Sequence, residues 1–440
     1  MGNLARSLKI VTIKHRWPGW NRTLAQLGAV ALCVALCVAL CVACTDDFEP
    51  AYHISKLRVL GVAATPPELH GNTTSELKLL VADPHPNVQL CYAWAFCPYA
   101  WAKDGNFKCL DPDLQVDLGT GPTATVGFAT LMQSLAKSSE VFKKLGMTMP
   151  TGTSSSPDLA CIPGGKPPTA SGGFSTGSLP DFYILFEVSE ASDYGGSCPT
   201  SAASMLSKVC DDRTSCLAGF KRIGLAPMAG SCEPYDAVKE PVCSKNPDLC
   251  PYVLECGCDG KNYANACARA AAKVGKAYDG ACRSVNTNPE LQGIALRLPA
   301  VDVASDVSRG VAWPEDVTPV LAPGSVVQFW PRWEDGQIQV IGPSTDPTVS
   351  EPDKETLLFS WFSESGDFDN SKTWHGNPAV QFTAPSLAAS ETSKTVPIWL
   401  VVRDERNGTS WLQRSVRIEK GASLAQNPVC KAAPAATGCR

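Results

Sequence analysis

The sequence is poor in charge and has no basic cluster beyond its N-terminal region, and both shortages limit what the protein does. Charged residues make up 18% of the 440 residues, and the formal net charge is -5. A surface that binds nucleic acid needs clustered lysine and arginine, so no nucleic-acid partner is expected. Apolar residues make up 44% of the chain, which predicts ordinary buried cores rather than disorder. The length is sufficient for two to four domains.

Histidine is also scarce, and none of the five occurs in a plausible catalytic context. A G-x-S-x-G motif is present at residues 173–177. A nucleophilic serine in that motif needs a strand before it, but residues 166–172 are rich in proline, glycine and small polar residues. We therefore expect no catalytic residues, no cofactor and no enzyme activity.

Cysteine, in contrast, is abundant, with 20 residues. A reducing cytosol would leave them as thiols or metal ligands, whereas an oxidising compartment would pair them. The N-terminus favours export, because a basic leader over residues 6–22 precedes the uncharged, mostly apolar run Leu24–Ala43, as in a signal peptide. A permanent membrane anchor is the alternative, since about 20 apolar residues can just span a bilayer. The small residues before Cys44 favour cleavage.

The run Leu40-Cys41-Val42-Ala43-Cys44 resembles a bacterial lipobox, although Cys41 stands where that motif normally has leucine. The resemblance implies a lipoprotein signal peptide over residues 1–43, lipidation of Cys44, and a tether over 44–54 that links the protein to a membrane. Thr45 occupies the place where aspartate holds such proteins at the inner membrane. The resemblance therefore implies a cell-envelope lipoprotein of the Gram-negative outer membrane. Asp46 leaves the inner membrane as an alternative location.

Short strands separated by proline and glycine are predicted in two regions, 55–235 and 288–420. In the first region, the predicted strands are 56–62, 77–82, 90–96, 182–188 and 219–225. In the second, they are 293–298, 325–330, 357–362, 396–403 and 410–418, and Asn407-Gly408 predicts the last turn. Residues 124–145 have helical apolar spacing, and 152–177 have the composition of a loop.

A tryptophan falls on a central predicted strand in each region, at Trp94 and Trp361. This arrangement resembles bacterial immunoglobulin-like repeats, and in particular the paired sandwich domains of Gram-negative lipoproteins. The resemblance implies a mainly β fold with two immunoglobulin-like β-sandwiches.

The segment between these regions has a distinctive cysteine pattern. Cys256 is followed by six residues, Tyr263, three residues and Cys267, with a predicted turn at Asp259-Gly260. An alanine-rich run at 268–274 predicts one helix, which Gly275 would end. Residues 243–282 resemble a Kazal domain, the fold of many serine-protease inhibitors. The resemblance implies a small α+β module over 240–283, and a segment this short needs disulfides to fold.

The resemblance also implies a disulfide pattern. The retained pairs would be Cys250–Cys267 and Cys256–Cys282, and Cys243 would then pair with Cys258. Ala270 stands where the family usually has a cysteine, and Cys258 is the extra one. Two isolated cysteines in the tail over 421–440 are expected to pair as Cys430–Cys439. Zinc at Cys256 and Cys258 is an alternative, but no histidine is near and the spacing fits disulfides better.

In inhibitory Kazal domains, the loop after the second cysteine binds a protease like a substrate. Here that loop carries Pro251, Tyr252 and Val253, with Tyr252 suited to a chymotrypsin-like pocket, but it is shorter than in those members. We therefore expect a lipid-anchored envelope protein with a binding or structural role and the module as a spacer. Inhibition of extracellular serine proteases is the alternative, so the expected partner is a serine protease or another envelope protein.

Two further features have a functional and a structural interpretation. Asp367, Asp369 and Asn370 could bind calcium, although such residues are more often solvated loop residues. Trp361 and Trp399 lie on apolar runs and are expected in the core. Three tryptophans near predicted loops could instead form a patch for carbohydrate or protein: Trp330, Trp333 and Trp374.

Overall fold

Strands make up most of the regular structure, which confirms the mainly β prediction. The computed structural model describes residues 49–69, 73–85, 87–103, 106–145, 182–206, 216–225, 235–236, 254–279, 282, 285–297, 311–342 and 353–423. The chain divides into two compact units, Met1–Ala51 and Tyr52–Arg440, and all the elements below belong to the second. Among the described residues, no helix is both long and apolar enough to cross a bilayer.

Two sheets form what we call the first sheet pair. Its strands are β1 (Arg58–Thr65), β2 (Glu68–Leu69), β3 (Thr74–Ala82), β4 (Leu90–Cys97), β5 (Ala100–Lys103), β6 (Asn106–Cys109), β7 (Val116–Gly119), β8 (Thr123–Gly127), β9 (Phe182–Glu190) and β10 (Cys216–Leu225). One sheet has the order β1-β3-β8 and the other β2-β10-β9-β4-β7, while β5 and β6 pair separately. Strand β2 runs parallel to β10, and the other neighbours are antiparallel. Helices α1 (Phe128–Lys144) and α2 (Ala202–Leu206) lie outside the sheets.

The two sheets of this pair enclose one hydrophobic core. Leu77 and Val126 from the three-stranded sheet share it with Trp94 and Ile184 from the five-stranded sheet. Trp94 is fully buried, and its indole Nε1 donates a hydrogen bond to the carbonyl of Gly121 at 2.9 Å. The partner is needed because a buried indole N–H loses its hydrogen bond to water.

The helix predicted over residues 124–145 begins later than expected. Residues 124–127 belong to β8, which pairs with β3, and α1 begins only at Phe128. Ala124 and Val126 are buried while Thr125 between them is exposed, which is the period of two that a strand requires. The apolar residues of β8 and α1 face the same core. In the sequence their combined spacing therefore resembles the apolar face of a single helix.

Between the sheet pairs in sequence lies a small module with strands and one helix. It contains β11 (Glu255–Gly257), β12 (Asn262–Tyr263), helix α3 (Ala266–Ala271) and β13 (Lys276–Asp279). The strand order is β12-β11-β13, and both pairings are antiparallel.

The second sheet pair follows the module. Its strands are β14 (Leu291–Arg297), β15 (Val311–Trp313), β16 (Val320–Leu321), β17 (Val326–Trp333), β18 (Val340–Gly342), β19 (Asp353–Lys354), β20 (Leu358–Ser363), β21 (Asp367–Phe368), β22 (Lys372–Trp374), β23 (Val380–Thr383), β24 (Ser393–Arg403) and β25 (Thr409–Glu419). One sheet has the order β15-β14-β17-β23-β21 and the other β16-β25-β24-β20-β22, with β18 and β19 paired separately. The two-residue strand β16 runs parallel to β25, as β2 does to β10. In the shared core, the Phe329 ring stacks on Trp361 and Phe382, with centroids 5.8 and 5.3 Å apart.

The tryptophans of this region are placed differently from two of the sequence predictions. Trp330, the last residue of the predicted strand, lies on β17 as does Trp333, because the strand continues to residue 333, and the Trp333 ring packs on Phe359 at 5.2 Å. Trp374, half exposed on β22, belongs to the other sheet. Trp361 is in the core as expected, whereas Trp399 is buried in a separate cluster on the outer side of its sheet.

That separate cluster joins the two sheet pairs. Leu60 and Leu80 from the first sheet pair contact Trp399 and Val401 from the second in one buried group. A bulge in β1 between Val59 and Gly61 shifts the register. At Gly61 the β1 backbone lies against side chains of the second sheet pair, since an added Cβ would lie 3.4 Å from Val401 Cγ1. The contact therefore buries a second apolar face on sheets that each already cover a core.

The residues just before β1 also contact the second sheet pair. The Ile54 amide donates to the Ser363 carbonyl at 2.9 Å, and the Ser363 amide donates to the Tyr52 carbonyl at 3.1 Å. The Tyr52 ring meets Phe368 edge-on at 5.4 Å. Residues 52–54, which the sequence assigns to the tether, are thus part of the fold, and Ile54 is almost completely buried.

Candidate functional sites

A tight turn connects β11 to β12 in the module, at the Asp-Gly pair expected from the sequence. Gly260 has φ of +74°, which favours glycine, and its amide donates to the Gly257 carbonyl at 2.9 Å. The Tyr263 hydroxyl donates to Asp259 Oδ2 at 2.9 Å, and the Lys261 amide donates to Oδ1 of the same carboxylate at 3.1 Å. The tyrosine and aspartate of the sequence motif therefore brace this turn.

The helix of the module begins and ends earlier than expected. The Asn265 side chain accepts a hydrogen bond from the Ala268 amide at 2.8 Å, which fixes the start of α3 at Ala266. The helix ends at Ala271 rather than at 274, and Lys273, with φ of +56°, makes the reversal expected of Gly275. The Gly275 carbonyl instead accepts a hydrogen bond from the Cys258 amide at 2.9 Å. The backbone at Gly275 therefore contacts the turn that follows β11.

A buried ion pair ties the helix to the sheet. Arg269 Nε donates to Glu255 Oε2 at 2.7 Å, and both side chains are more than nine-tenths buried. Lys276 approaches the other carboxylate oxygen at 3.3 Å, and a second Arg269 nitrogen donates to the Val274 carbonyl at 2.7 Å. Glu255 directly precedes Cys256, so these bonds fix the backbone where the predicted protease-contact loop rejoins the sheet.

The disulfides in the described part of the chain agree with an oxidising compartment. Cys256 pairs with Cys282, the pairing that the Kazal resemblance implies. Cys258 and Cys267 are also disulfide-bonded, so the zinc alternative at Cys256 and Cys258 has no free thiolate. In the first sheet pair Cys91 pairs with Cys198 and Cys97 with Cys109, and Cys216 of β10 is disulfide-bonded as well.

Several sequence predictions fall outside the described residues. They are the lipidated Cys44, the contact loop Pro251–Val253, Cys243 and Cys250 as disulfide partners, the Cys430–Cys439 pair, and the segments 152–177 and 173–177.

The aspartate-rich turn proposed for calcium is occupied by backbone hydrogen bonds. Asp369 Oδ1 accepts from the amides of Asn370 and Gln381 at 2.7 and 2.8 Å, and Asp367 Oδ1 accepts from the Tyr52 hydroxyl at 3.2 Å. Across the residues that the structure describes, no group of three or more histidine, cysteine, aspartate or glutamate side chains could hold a metal ion.

A cleft of about 440 Å³ lies where the two sheet pairs meet, and the sequence analysis did not anticipate it. Lys221 projects into it from β10 although it is only 8% exposed. Its ammonium donates to the Asn407 carbonyl and, at 3.0 Å, to the Thr409 hydroxyl, both at the turn between β24 and β25. A lysine of one sheet pair is thus held by a turn of the other.

The opposite wall of the cleft carries Arg403 and Asp404. Arg403 donates to the Leu60 carbonyl at 2.5 Å and to Ser360 Oγ at 3.3 Å. Asp404 Oδ1 accepts from the amides of Arg406 and Gly408, at 2.8 and 2.7 Å, and so closes the turn. The left-handed conformation of Asn407, with φ of +75°, agrees with the predicted Asn-Gly turn.

Burial dominates the electrostatics of this cleft. Burial lowers the pKa of Lys221 from 10.5 to about 8, with Arg403 acting in the same direction and Asp404 opposing it. Burial likewise raises the pKa of Asp404 and lowers that of Arg403. All three groups are therefore less easily charged than in water.

Comparisons with known proteins add little to this picture. No family model matches the sequence, and no curated protein matches it. Among solved structures, it is similar to a nucleoside hydrolase-related hypothetical protein from Saccharophagus degradans associated with carbohydrate metabolism, with 18% identity, 31% of this chain and 26% of that chain covered, and a TM-score of 0.16. It is also similar to dimeric latent PorU from Porphyromonas gingivalis, with 11% identity, 84% and 24% covered, and the same TM-score. The chain spans about a quarter of each, and similarity at this level supports no conclusion about fold or function.

Proposed function

We propose that the protein is an exported, lipid-anchored envelope protein that acts as a rigid binding or structural scaffold rather than as an enzyme. The observation that carries the proposal is the buried contact between the two sheet pairs, centred on Leu60, Leu80, Trp399 and Val401. Domains joined by a flexible linker move independently by default, whereas an apolar contact of this kind fixes their arrangement. A fixed arrangement is what a scaffold that presents a module at a constant distance requires.

We interpret each sheet pair as an immunoglobulin-like sandwich. The strand orders support this interpretation. The first pair combines a three-stranded antiparallel sheet with a five-stranded sheet, and the second pair combines two five-stranded sheets. In each pair one five-stranded sheet has a two-residue edge strand that runs parallel to its neighbour, β2 to β10 and β16 to β25. The buried tryptophan on the strand beside β9 or β24, at Trp94 and Trp361, supports it further.

We interpret residues 240–283 as a Kazal-like module that serves as a spacer. The Cys256–Cys282 disulfide, the turn braced by Tyr263 and Asp259, and the single helix capped by Asn265 support the resemblance. Export is supported by the disulfides of both the module and the first sheet pair, since such bonds persist in oxidising compartments. Lipidation of Cys44 would then hold the protein at the outer membrane.

The anchor is tested by following processing in cells. We expect globomycin to block processing and Cys44→Ala to abolish this globomycin-sensitive processing. A matched variant, Cys41→Ala, tests the neighbouring cysteine and should leave processing unchanged. Processing of the unaltered protein that globomycin does not affect would contradict lipidation.

Protease inhibition is the second candidate, favoured by the bonds that Glu255 makes with Arg269 and Lys276 at the end of the contact loop. A loop held rigid at its base binds a protease without a large loss of conformational entropy. The test titrates chymotrypsin- and subtilisin-like proteases with the full chain, with Tyr252→Gly, and with Lys261→Gly in the opposite turn as control. Inhibition that is lost in Tyr252→Gly but kept in Lys261→Gly would support the inhibitor role. No inhibition by the unaltered chain at micromolar concentration would contradict that role and favour the spacer role.

A further inference from the structure

The cleft between the sheet pairs contains more buried positive charge than negative charge. Lys221 and Arg403 donate only to neutral oxygen atoms, namely the Asn407 and Leu60 carbonyls and the hydroxyls of Thr409 and Ser360. Within the described part of the chain, neither cation forms an ion pair. A buried cation is costly when no anion compensates it, so this arrangement is unusual for a purely structural contact.

The other charged groups of the cleft do not balance this excess. Arg58 lines the same cleft, and its guanidinium lies 5.7 Å from the centre of the Phe362 ring. Asp404 is the one carboxylate among the described residues that line it. One of its oxygens is occupied by two backbone amides, and the other is buried with no hydrogen-bond partner within the described structure. Three cations therefore face one carboxylate.

Apart from Asn407 and Thr409, the rest of the lining is apolar or glycine. Phe186 and Leu217 line the cleft on the first sheet pair, and their side chains lie on the same face of the sheet as Lys221. The volume, about 440 Å³, lies in the range of small-molecule sites, which combine an apolar lining with a few convergent polar groups. Excess positive charge beside an aromatic ring suits an anion that carries an apolar group.

We propose that this cleft binds a small organic carboxylate, whose anionic group pairs with Lys221 and Arg403 and whose apolar group packs against Phe186 and Leu217. Hydrogen bonds from a lysine and an arginine to a carboxylate join two charged groups, and they are stronger than the bonds that these side chains now make to neutral oxygens. The site draws on both sheet pairs, so its ligand would also strengthen their contact. The proposal is independent of the membrane anchor and of the Kazal-like module.

Isothermal titration calorimetry of the purified full chain tests the proposal, with benzoate and inorganic phosphate as probes. We expect benzoate to bind more tightly than phosphate, because only benzoate has a group for the aromatic wall. Lys221→Met should weaken benzoate binding about tenfold or more, while Leu217→Ala, at a partly buried residue of the apolar lining, should weaken benzoate but not phosphate. Arg222→Met is the matched control. It removes the same charge as Lys221→Met, but Arg222 is an exposed neighbour on β10 that does not line the cleft.

Two results would overturn the proposal. One is the absence of benzoate binding to the unaltered chain; the other is an equal effect of Lys221→Met and Arg222→Met. Circular dichroism establishes whether each variant is folded. If Lys221→Met does not fold, Arg403→Gln replaces it, because Arg403 is the second cation of the proposed site and is only partly buried.

Discussion

Lys221 illustrates how one side chain couples charge to the contact between the sheet pairs. Its pKa of about 8 lies below the ordinary value of 10.5 because burial disfavours the ammonium. Between these two values the unfolded chain holds a proton that the folded chain has released. The unfolded state thus binds more protons, and the free energy of unfolding rises with pH across this window. Below about 8 that contribution is lost.

We expect the unaltered protein to gain stability over Lys221→Met as the pH rises from about 8 to about 10.5. The full difference between the pKa values corresponds to a gain of at most about 3 kcal/mol. Denaturant unfolding at several pH values, compared with Lys221→Met and with Arg222→Met, measures it. A difference between the unaltered protein and Lys221→Met that does not change with pH would contradict the assignment.

The buried pair of Arg269 and Glu255 gives a second prediction at the scale of the residue. Arg269→Met leaves the Glu255 carboxylate buried with Lys276 as its remaining partner, and we expect a loss of about 3 kcal/mol in module stability. The double variant Glu255→Met, Arg269→Met should be less destabilised than Arg269→Met alone, since it leaves no carboxylate buried, and Lys276, which loses this partner, is partly exposed to water. Hydrogen exchange of the module amides measures both. Equal losses in the two variants would contradict a buried pair.

Among the elements, the turn from Asp404 to Gly408 joins β24 to β25 and also presents the oxygens that hold Lys221. Two of its internal hydrogen bonds end on Asp404 Oδ1, an acceptor that asparagine retains. We expect Asp404→Ala to cost about 1–3 kcal/mol and Asp404→Asn distinctly less, because only alanine leaves both amides without their acceptor. Denaturant unfolding of the two variants makes the comparison. A loss of stability in Asp404→Asn as large as that in Asp404→Ala would show that the charge of Asp404 matters more than the two hydrogen bonds it accepts.

The longer strands could be predicted from the sequence, because alternation and proline-glycine punctuation report local geometry, whereas most strands of five residues or fewer were missed. The predicted run at 90–96 is β4 within one residue, and 396–403 lies within β24. The errors arose where two elements face one core. Ala124 and Val126 of β8 joined the helical stripe of α1, and an asparagine cap outside the alanine-rich run set the start of α3.

The cleft could not be predicted in the same way. Lys221 lies among mixed residues on β10 and looks like a solvated side chain, while its partner Thr409 is 188 residues away. Trp399 reads as a core residue, and it is buried, but against the other sheet pair. Sequence periodicity shows that a face is apolar; it does not show which surface covers that face. In the module, by contrast, turn, tyrosine and disulfide are close in sequence, and the spacing predicted their proximity.

At the scale of the whole molecule, the shared cluster predicts that the two sheet pairs unfold together. Trp399 is 4% exposed in that cluster, and truncating a buried tryptophan costs about 3–5 kcal/mol. We expect calorimetry to show one main transition for both sheet pairs, which Trp399→Ala lowers or splits. Trp374→Ala, at a half-exposed tryptophan, is the control and should shift it little. Two separate transitions in the unaltered protein would contradict the coupling.

The short pairing of residues 52–54 with Ser363 has a consequence for biosynthesis. His53 reaches the carbonyl of Glu364, 311 positions further along the chain. A ribosome releases the N-terminus first, so the first sheet pair emerges while the strands that cover Leu60 and Leu80 do not yet exist. We therefore expect the nascent chain to carry an uncovered apolar surface until its last two strands, β24 and β25, have been synthesised.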